Sequence, residues 1–255
     1  MKTLIIVLSL FALLYLSFIT MAQELVLYYS FDESGDKVID KSGKGNDGSF
    51  DQGKAKRVAS KAPNFGQAME FDSASRILVS DSKSLTIDKE ISFVMWVKKG
   101  DEVGGIGTLP RMISRASDLH ELAMDSGHLK RGTFAVYFGG NPGWTTCMPV
   151  DENWHHIAVT GDGSTFRIYL DGEDASQIKA SGPATYRGNL YIGSRHDLGT
   201  REFFKGWLDE VGIFAGVLSK DKIKQIMNNG VTGQLLSVSG QGKLGWSWGA
   251  IKAGY

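Results

Sequence analysis

The sequence predicts an all-β protein, an antiparallel β-sandwich with one short helix near its C-terminal end. Three observations point there. Beyond residue 24, apolar residues alternate with polar ones in many short runs, the period-two signature of half-buried strands. The 32 glycines follow no Gly-X-Y period and gather between those runs, where tight turns need them. Helical periods do not alternate with the strands, as a parallel α/β sheet would require.

Taken in order, the chain starts with Met1-Lys2-Thr3, an apolar run from Leu4 to Ile19, and Thr20-Met21-Ala22. A basic start, an apolar stretch and small closing residues form the pattern of a secretory signal peptide over 1–22. The run falls short of the ~20 residues of a membrane span, and no Lys/Arg stop signal follows it. The expectation is a protein exported to the cell surface, the periplasm or the medium, with no transmembrane span in the mature chain. Strands are expected at 25–31, 67–71, 77–79, 91–97, 111–115, 119–124, 133–138, 155–160, 166–170, 190–192 and 207–214. Asp171-Gly172 and Gly161-Asp162-Gly163 supply hairpin turns. A helix over 219–227 has Ser219 as its cap, Ile223, Ile226 and Met227 on one face, and a stop at Asn228-Asn229-Gly230. Residues 234–239 read as one last strand. A tail rich in Gly and aromatics follows, with Leu244, Trp246, Trp248 and Ile251 as its apolar points. The organisation expected is a leader over 1–22, one domain over 23–232 and a tail over 233–255.

Composition removes several functions. Lys+Arg and Asp+Glu both number 28, so there is no basic surplus to hold nucleic acid. The one cysteine, Cys147, excludes an internal disulfide and a Cys-cluster zinc site. His155 and His156 point to opposite faces of one strand, and no His-x-x-x-His pair is present. Glu121 and Asp125, four apart on one strand face, are the pair nearest to a glycosidase's two carboxylates, but they read as an ordinary strand running into the Ser126-Gly127 turn.

An ordered set of motifs carries a family resemblance. They are Tyr29-Ser30-Phe31-Asp32-Glu33, Asp40-Lys41-Ser42-Gly43-Lys44-Gly45-Asn46-Asp47-Gly48 and Phe65-Gly66-Gln67-Ala68-Met69-Glu70-Phe71-Asp72, then Ser92-Phe93-Val94-Met95-Trp96-Val97 and Trp154-His155-His156-Ile157-Ala158-Val159-Thr160. Phe166–Gly172, Tyr191-Ile192-Gly193 and Phe204-Lys205-Gly206-Trp207-Leu208-Asp209-Glu210-Val211 follow, and Leu218-Ser219 with the short helix completes it. In order and spacing over 25–230 the chain resembles the LamG-like jelly roll, a concanavalin A-like β-sandwich. On that fold Trp96, Trp154 and Trp207 are expected to fill the layer between two sheets.

The resemblance implies a structural Ca2+ where the domain's start meets the Leu208–Val211 strand. Asp32, Asn46 and Asp209 are the nominated ligands, with Glu210 in reserve, since calcium takes carboxylate, amide and carbonyl oxygens. The stretches least like the family are loops, and loops at a sandwich end carry recognition. They offer Asn141, Trp144, Arg195, His196, Asp197 and Arg201: an aromatic face for a sugar ring, and planar polar groups for hydroxyls or anions. The expected function is non-catalytic binding of a glycan or a cell-surface glycoprotein. The alternatives are a protein-binding adhesion module and a polysaccharide lyase or glycosidase on the same fold.

Overall fold

The computed structural model describes residues 23–60, 65–101, 108–115, 120–138, 142–180, 185–196 and 202–241, with side chains as far as Thr232 in the last stretch. The leader over 1–22 and residues 242–255 of the tail lie outside the described residues.

Two antiparallel sheets face each other. The eight-stranded one runs β14 (Glu173–Lys179), β13 (Thr165–Leu170), β12 (His155–Gly161), β7 (Ile91–Lys99), β17 (Lys205–Ala215), β4 (Gln67–Asp72) and β3 (Lys56–Ala59), with β1 (Glu24–Tyr29) also paired to β17. The seven-stranded one runs β11 (Thr145–Pro149), β10 (Thr133–Tyr137), β9 (Glu121–Asp125), β8 (Arg111–Arg115), β16 (Leu190–Ile192), β5 (Arg76–Val79) and β2 (Gly48–Gln52). A two-stranded ribbon pairs β6 (Ile87–Asp88) with β15 (Thr185–Tyr186).

Alternation builds the core. Phe93, Met95 and Val97 of β7, Ile157 and Val159 of β12, and Leu208, Val211 and Ile213 of β17 meet Met112, Ile113, Leu122, Met124, Phe134 and Val136 of the opposite sheet. Residues of opposite parity face outward. On the eight-stranded sheet Val94, Ala158, Tyr169 and Phe214 form a second apolar layer under α1 (Lys220–Gln241), through Leu218, Ile223, Ile226 and Val231. Gly212 permits this approach, because a Cβ there would lie 2.9 Å from Val94 and 3.4 Å from Val231.

All the expected strands with described residues are present, within a residue or two. The sequence did not disclose β2, β3, β6, β11, β14 or β15. These are short or lie toward sheet edges; the edge strand β14 is mostly exposed, so it needs little apolar alternation.

Three expectations are corrected. The first concerns the tryptophans, none of which fills the layer between the sheets. Trp96 shares the parity of Val94, so its ring turns outward and meets Phe65 at 6.0 Å and His156 at 5.4 Å. Trp207 is half-buried on the same outer face with Lys98 Nζ 5.2 Å from its ring, and Trp154 is half-buried just before β12. The second concerns 234–239, which is helical rather than a strand. Helical backbone bonds are local, whereas a strand there would need a free sheet edge to pair with. The third concerns the helix stop. At Gly230 the backbone leaves helical geometry (φ 74°, ψ 167°), and the helix then resumes through the expected domain boundary at 232. Glu210 Oε2 accepts the Val231 N–H at 2.8 Å, which caps the resumed segment.

Two polar anchors hold the hairpins. Asp125 is fully buried and accepts four backbone N–H groups, from Gly127 and His128 at 2.7 Å and from Leu129 and Lys130 at 2.8 Å. Burial alone would raise its pKa, but the four N–H groups together hold it below the ordinary carboxylate value. His155 joins Asp171 (Nδ1–Oδ2 2.8 Å) to Asp151 (Nε2–Oδ1 2.9 Å). Burial would lower its pKa, and the two carboxylates outweigh that and raise it.

Replacing Asp125 with Ala is expected to cost about 2 kcal/mol, since its donors regain only water, and to lower Tm by about 5 °C. Because the Asp125 pKa is depressed on folding, its contribution is present above the unfolded carboxylate pKa and fades as pH falls through the folded one; thermal melts from pH 7 to pH 2 check this. His155 has the opposite sign. Its contribution is full below the ordinary histidine value of 6.5 and is lost as pH rises through the higher folded value. Wild type should therefore lose more Tm than His155→Gln between pH 6 and pH 8, and parallel losses would refute the linkage.

Candidate functional site on the outer face of the seven-stranded sheet

On β9 and β10 the inward positions are apolar, so Glu121, Ala123, Asp125, Ala135 and Tyr137 take the outward ones. Arg111 stands opposite Ala123, and Ala135 opposite Thr146. The small side chains of Ala123 and Ala135 leave a shallow floor, on which Leu109 and the half-buried Trp144 pack.

Arg111 organises this face. Its guanidinium lies 4.6 Å over the Trp144 ring. It donates to Glu121 (Nε–Oε2 3.0 Å, Nη2–Oε2 2.9 Å), pairs with Glu202 (Nη1–Oε1 2.8 Å) and donates to the Leu109 carbonyl. Tyr137 lies 5.7 Å from Trp144, the rings tilted by 37°. Arg195 stands 3.5 Å from Glu202 and 4.0 Å from Glu121, and His196 Nδ1 4.0 Å from Glu121. Arg76 holds that segment in place. It donates to the carbonyls of Arg195 and His196 at 3.2 Å each, pairs with Asp51, and stacks 4.6 Å over Tyr191.

Of the six nominated ligand-binding residues, the structure therefore brings Trp144, Arg195 and His196 to one face, joined through Arg111, Glu121 and Glu202. Asn141, Asp197 and Arg201 lie outside the described residues. Arg111, Tyr137, Glu202 and Arg76 went unread in the sequence as site residues. For Arg111, Tyr137 and Arg76 the signal was a charge or a tyrosine at the outward parity of an otherwise apolar strand, whereas Glu202 lies outside the strands. As a pair of acids, Glu121 and Asp125 share the outward parity of β9, but Glu121 is bonded to Arg111 and Asp125 to its turn.

The three nominated calcium ligands are not gathered into one set. Tyr28 and Tyr29 are consecutive in β1 and point to opposite faces. The Tyr29 hydroxyl reaches the Asn46 carbonyl at 2.5 Å, whereas the Tyr28 hydroxyl reaches Glu210. Asn46 thus lies away from Glu210, and its side-chain amide is already engaged. Nδ2 donates to Val26 O at 2.7 Å and to Ser84 Oγ at 2.9 Å, and Oδ1 accepts from Ser82 Oγ at 2.6 Å. Asp209 and Glu210 do lie together. Against β7 the register skips one residue between Asp209 and Gly212, and Glu210 takes φ 51°, so this bulge turns both acids outward. Burial, aided by the charges of Glu210 and Asp32 and opposed by the Ser60 hydroxyl, pushes Asp209 up to about 8. Burial raises Glu210 too. Asp32, Glu210, Tyr28, Phe65 and Asn228 line a cleft of about 260 Å³. Among the described residues, no three His, Cys, Asp or Glu side chains are grouped closely enough to hold a metal ion.

Cys147 is partly buried, and burial pushes its thiol up to about 12, which leaves little of the reactive thiolate. No helix among the described residues is long and apolar enough to cross a membrane.

Comparison with solved structures returns domains of similar fold. The binding domain of Paraclostridial Mosquitocidal Protein 1 matches with a TM-score of 0.62 and 13% identity, over 80% of this chain and 52% of that one. Domain 4 of a GH43 extracellular arabinanase from Geobacillus stearothermophilus, solved with arabinotriose, matches with a TM-score of 0.63 and 19% identity, over 80% of this chain and 98% of that one. The binding domain of Botulinum neurotoxin DC, solved with rat synaptotagmin II, matches with a TM-score of 0.58 and 13% identity, over 80% of this chain and 51% of that one. The chain thus spans about half the length of the two binding domains and nearly all of the arabinanase domain. At these identities the likeness is one of fold. No curated protein matches the chain in sequence. The family model described as the concanavalin A-like lectin/glucanases superfamily matches residues 71–224, more than half of the chain. By that match and by its two-sheet jelly roll, the chain belongs to the concanavalin A-like lectin/glucanase superfamily.

Proposed function

We propose that this chain is an exported, non-catalytic binding module whose seven-stranded outer face takes a glycan, free or on a cell-surface glycoprotein. The observation that carries the reading is the Arg111–Glu121–Glu202 network lying beside the half-buried rings of Trp144 and Tyr137. Paired guanidinium and carboxylate groups set donors beside acceptors. A sugar hydroxyl both donates and accepts, so such a surface suits vicinal hydroxyls while a ring stacks on the aromatics. The charges on this face balance locally, which favours neutral over acidic sugars. Binding is preferred to hydrolysis because a glycosidase needs one carboxyl to give a proton and a second to attack or to activate water. Here Glu121 and Glu202 both bond to Arg111, and Asp125 to backbone. The solved arabinanase domain carrying arabinotriose supports the same class of ligand.

A second proposal concerns calcium. Asn46 does not fit as a ligand, since its amide is used internally. The two acids that line the open cleft, Asp32 and Glu210, would hold the ion together with backbone carbonyls and water, and its charge would offset the buried Asp209–Glu210 pair that folding otherwise has to accommodate.

A glycan array with neutral and uronate-containing oligosaccharides tests the first reading. Wild type should bind a neutral glycan, and Trp144→Ala or Tyr137→Ala should weaken binding about tenfold in protein that still melts cooperatively. Binding to protein ligands alone would favour adhesion, and release of reducing sugar or unsaturated uronate would favour an enzyme; either refutes the proposal. For calcium, EDTA-treated protein should gain Tm when calcium is added. Asp209→Asn should melt higher than wild type in EDTA at pH 7, because the raised Asp209 pKa costs stability as pH climbs towards about 8, and it should gain less from calcium. An unchanged wild-type melt with EDTA and with calcium would remove the ion.

A further inference from the structure

On the inner side of β8, away from Arg111, a polar group sits inside the sandwich. Arg115 follows Ile113 at inward parity and is fully buried. Its Nε donates to Gly188 O at 3.2 Å and its Nη2 to Leu85 O at 2.7 Å. The nearest carboxylate, that of the half-exposed Asp81, is 3.9 Å away, beyond hydrogen-bond distance. Nη1 meets no acceptor. His120 is fully buried between the rings of Phe93 at 4.8 Å and Tyr186 at 5.3 Å, and its backbone carbonyl accepts the Arg115 N–H at 3.1 Å. Neither of its ring nitrogens has a partner, and nor does the buried Tyr186 hydroxyl.

Four buried polar atoms without partners in one cluster are rare in folded proteins, because each costs its full desolvation. We propose that Arg115, His120 and Tyr186 line an internal site for one small monovalent anion of the chloride class. The donor count separates an anion from water. Arg115 Nη1 brings two N–H groups, Tyr186 one O–H and a neutral His120 one N–H. A water molecule accepts about two hydrogen bonds and must place two of its own, for which the cluster offers little beyond one imidazole nitrogen and the phenol oxygen. A halide accepts from every donor and gives none. Its charge also offsets the guanidinium, whose pKa burial pulls down to about 10 with only Asp81 opposing. The site is separate from the proposed glycan face, so either can fail without the other.

Bromide tests it, as an anomalous scatterer of the same class. Crystals of the full chain grown in sodium bromide should show an anomalous peak between Arg115 Nη1, His120 and Tyr186. In solution at fixed ionic strength, exchanging methanesulfonate, too bulky for a closed site, for bromide should raise Tm by about 3 °C. Tyr186→Phe, which keeps the ring and removes one donor, should at least halve that rise. Ordered water with no anomalous peak in the cluster overturns the anion, and so does a bromide effect that Tyr186→Phe leaves whole.

Discussion

The structure depends on two-sided burial of β17. This eleven-residue strand pairs with β7 along its length, with β4 over its first part and with β1 over its last. One face enters the layer between the sheets through Leu208, Val211 and Ile213, and the other supports α1 through Phe214 and the bare backbone of Gly212. Such a strand has to satisfy two packing surfaces whose parities need not agree. The bulge at Asp209–Glu210 resolves the conflict by inserting one residue, and it leaves two acids on the outer face. Glu210 then bonds the Tyr28 hydroxyl and caps the helix beyond Gly230. A single register shift thereby links β1, β17 and α1.

Charge placement separates the two sides of the seven-stranded sheet. On the outer side, Arg111 spreads its donors over Glu121, Glu202 and a carbonyl while stacking on Trp144, so a buried cation is matched in charge and in hydrogen bonds. On the inner side, Arg115 reaches two carbonyls and one distant carboxylate. Two arginines four residues apart on one short strand thus meet opposite electrostatic surroundings, because the bulge between Arg111 and Ile113 changes the parity between them.

Much of the sandwich was legible along the chain. Runs such as Ile91–Val97 and Phe166–Leu170 are half buried by construction, and period-two alternation records which half. Parity did not say which sheet face was the core, so Trp96 was read inward although Phe93, Met95 and Val97 already filled that layer. Edge strands such as β14 were silent because exposed strands need no apolar face. Residues 234–239 read as a strand from their composition, but a helix needs no neighbouring edge. Of the site, the loop residues Trp144, Arg195 and His196 stood out by type and position. Arg111 and Glu202 did not, because a lone charge in or beside a strand acquires meaning only from its partners.

By itself, then, the sequence determined the all-β class, the order of the main strands, the turns between them and the lack of any disulfide staple. These are local properties, set by alternation, turn residues and composition, and they need no knowledge of what lies across a sheet. The tertiary structure alone decided which face each strand buries, that Asn46 stands apart from Asp209, and that Arg111 ties Trp144 to Glu121 and Glu202. Those outcomes depend on register between strands distant in the chain, and a one-residue bulge is enough to move a side chain from one face to the other.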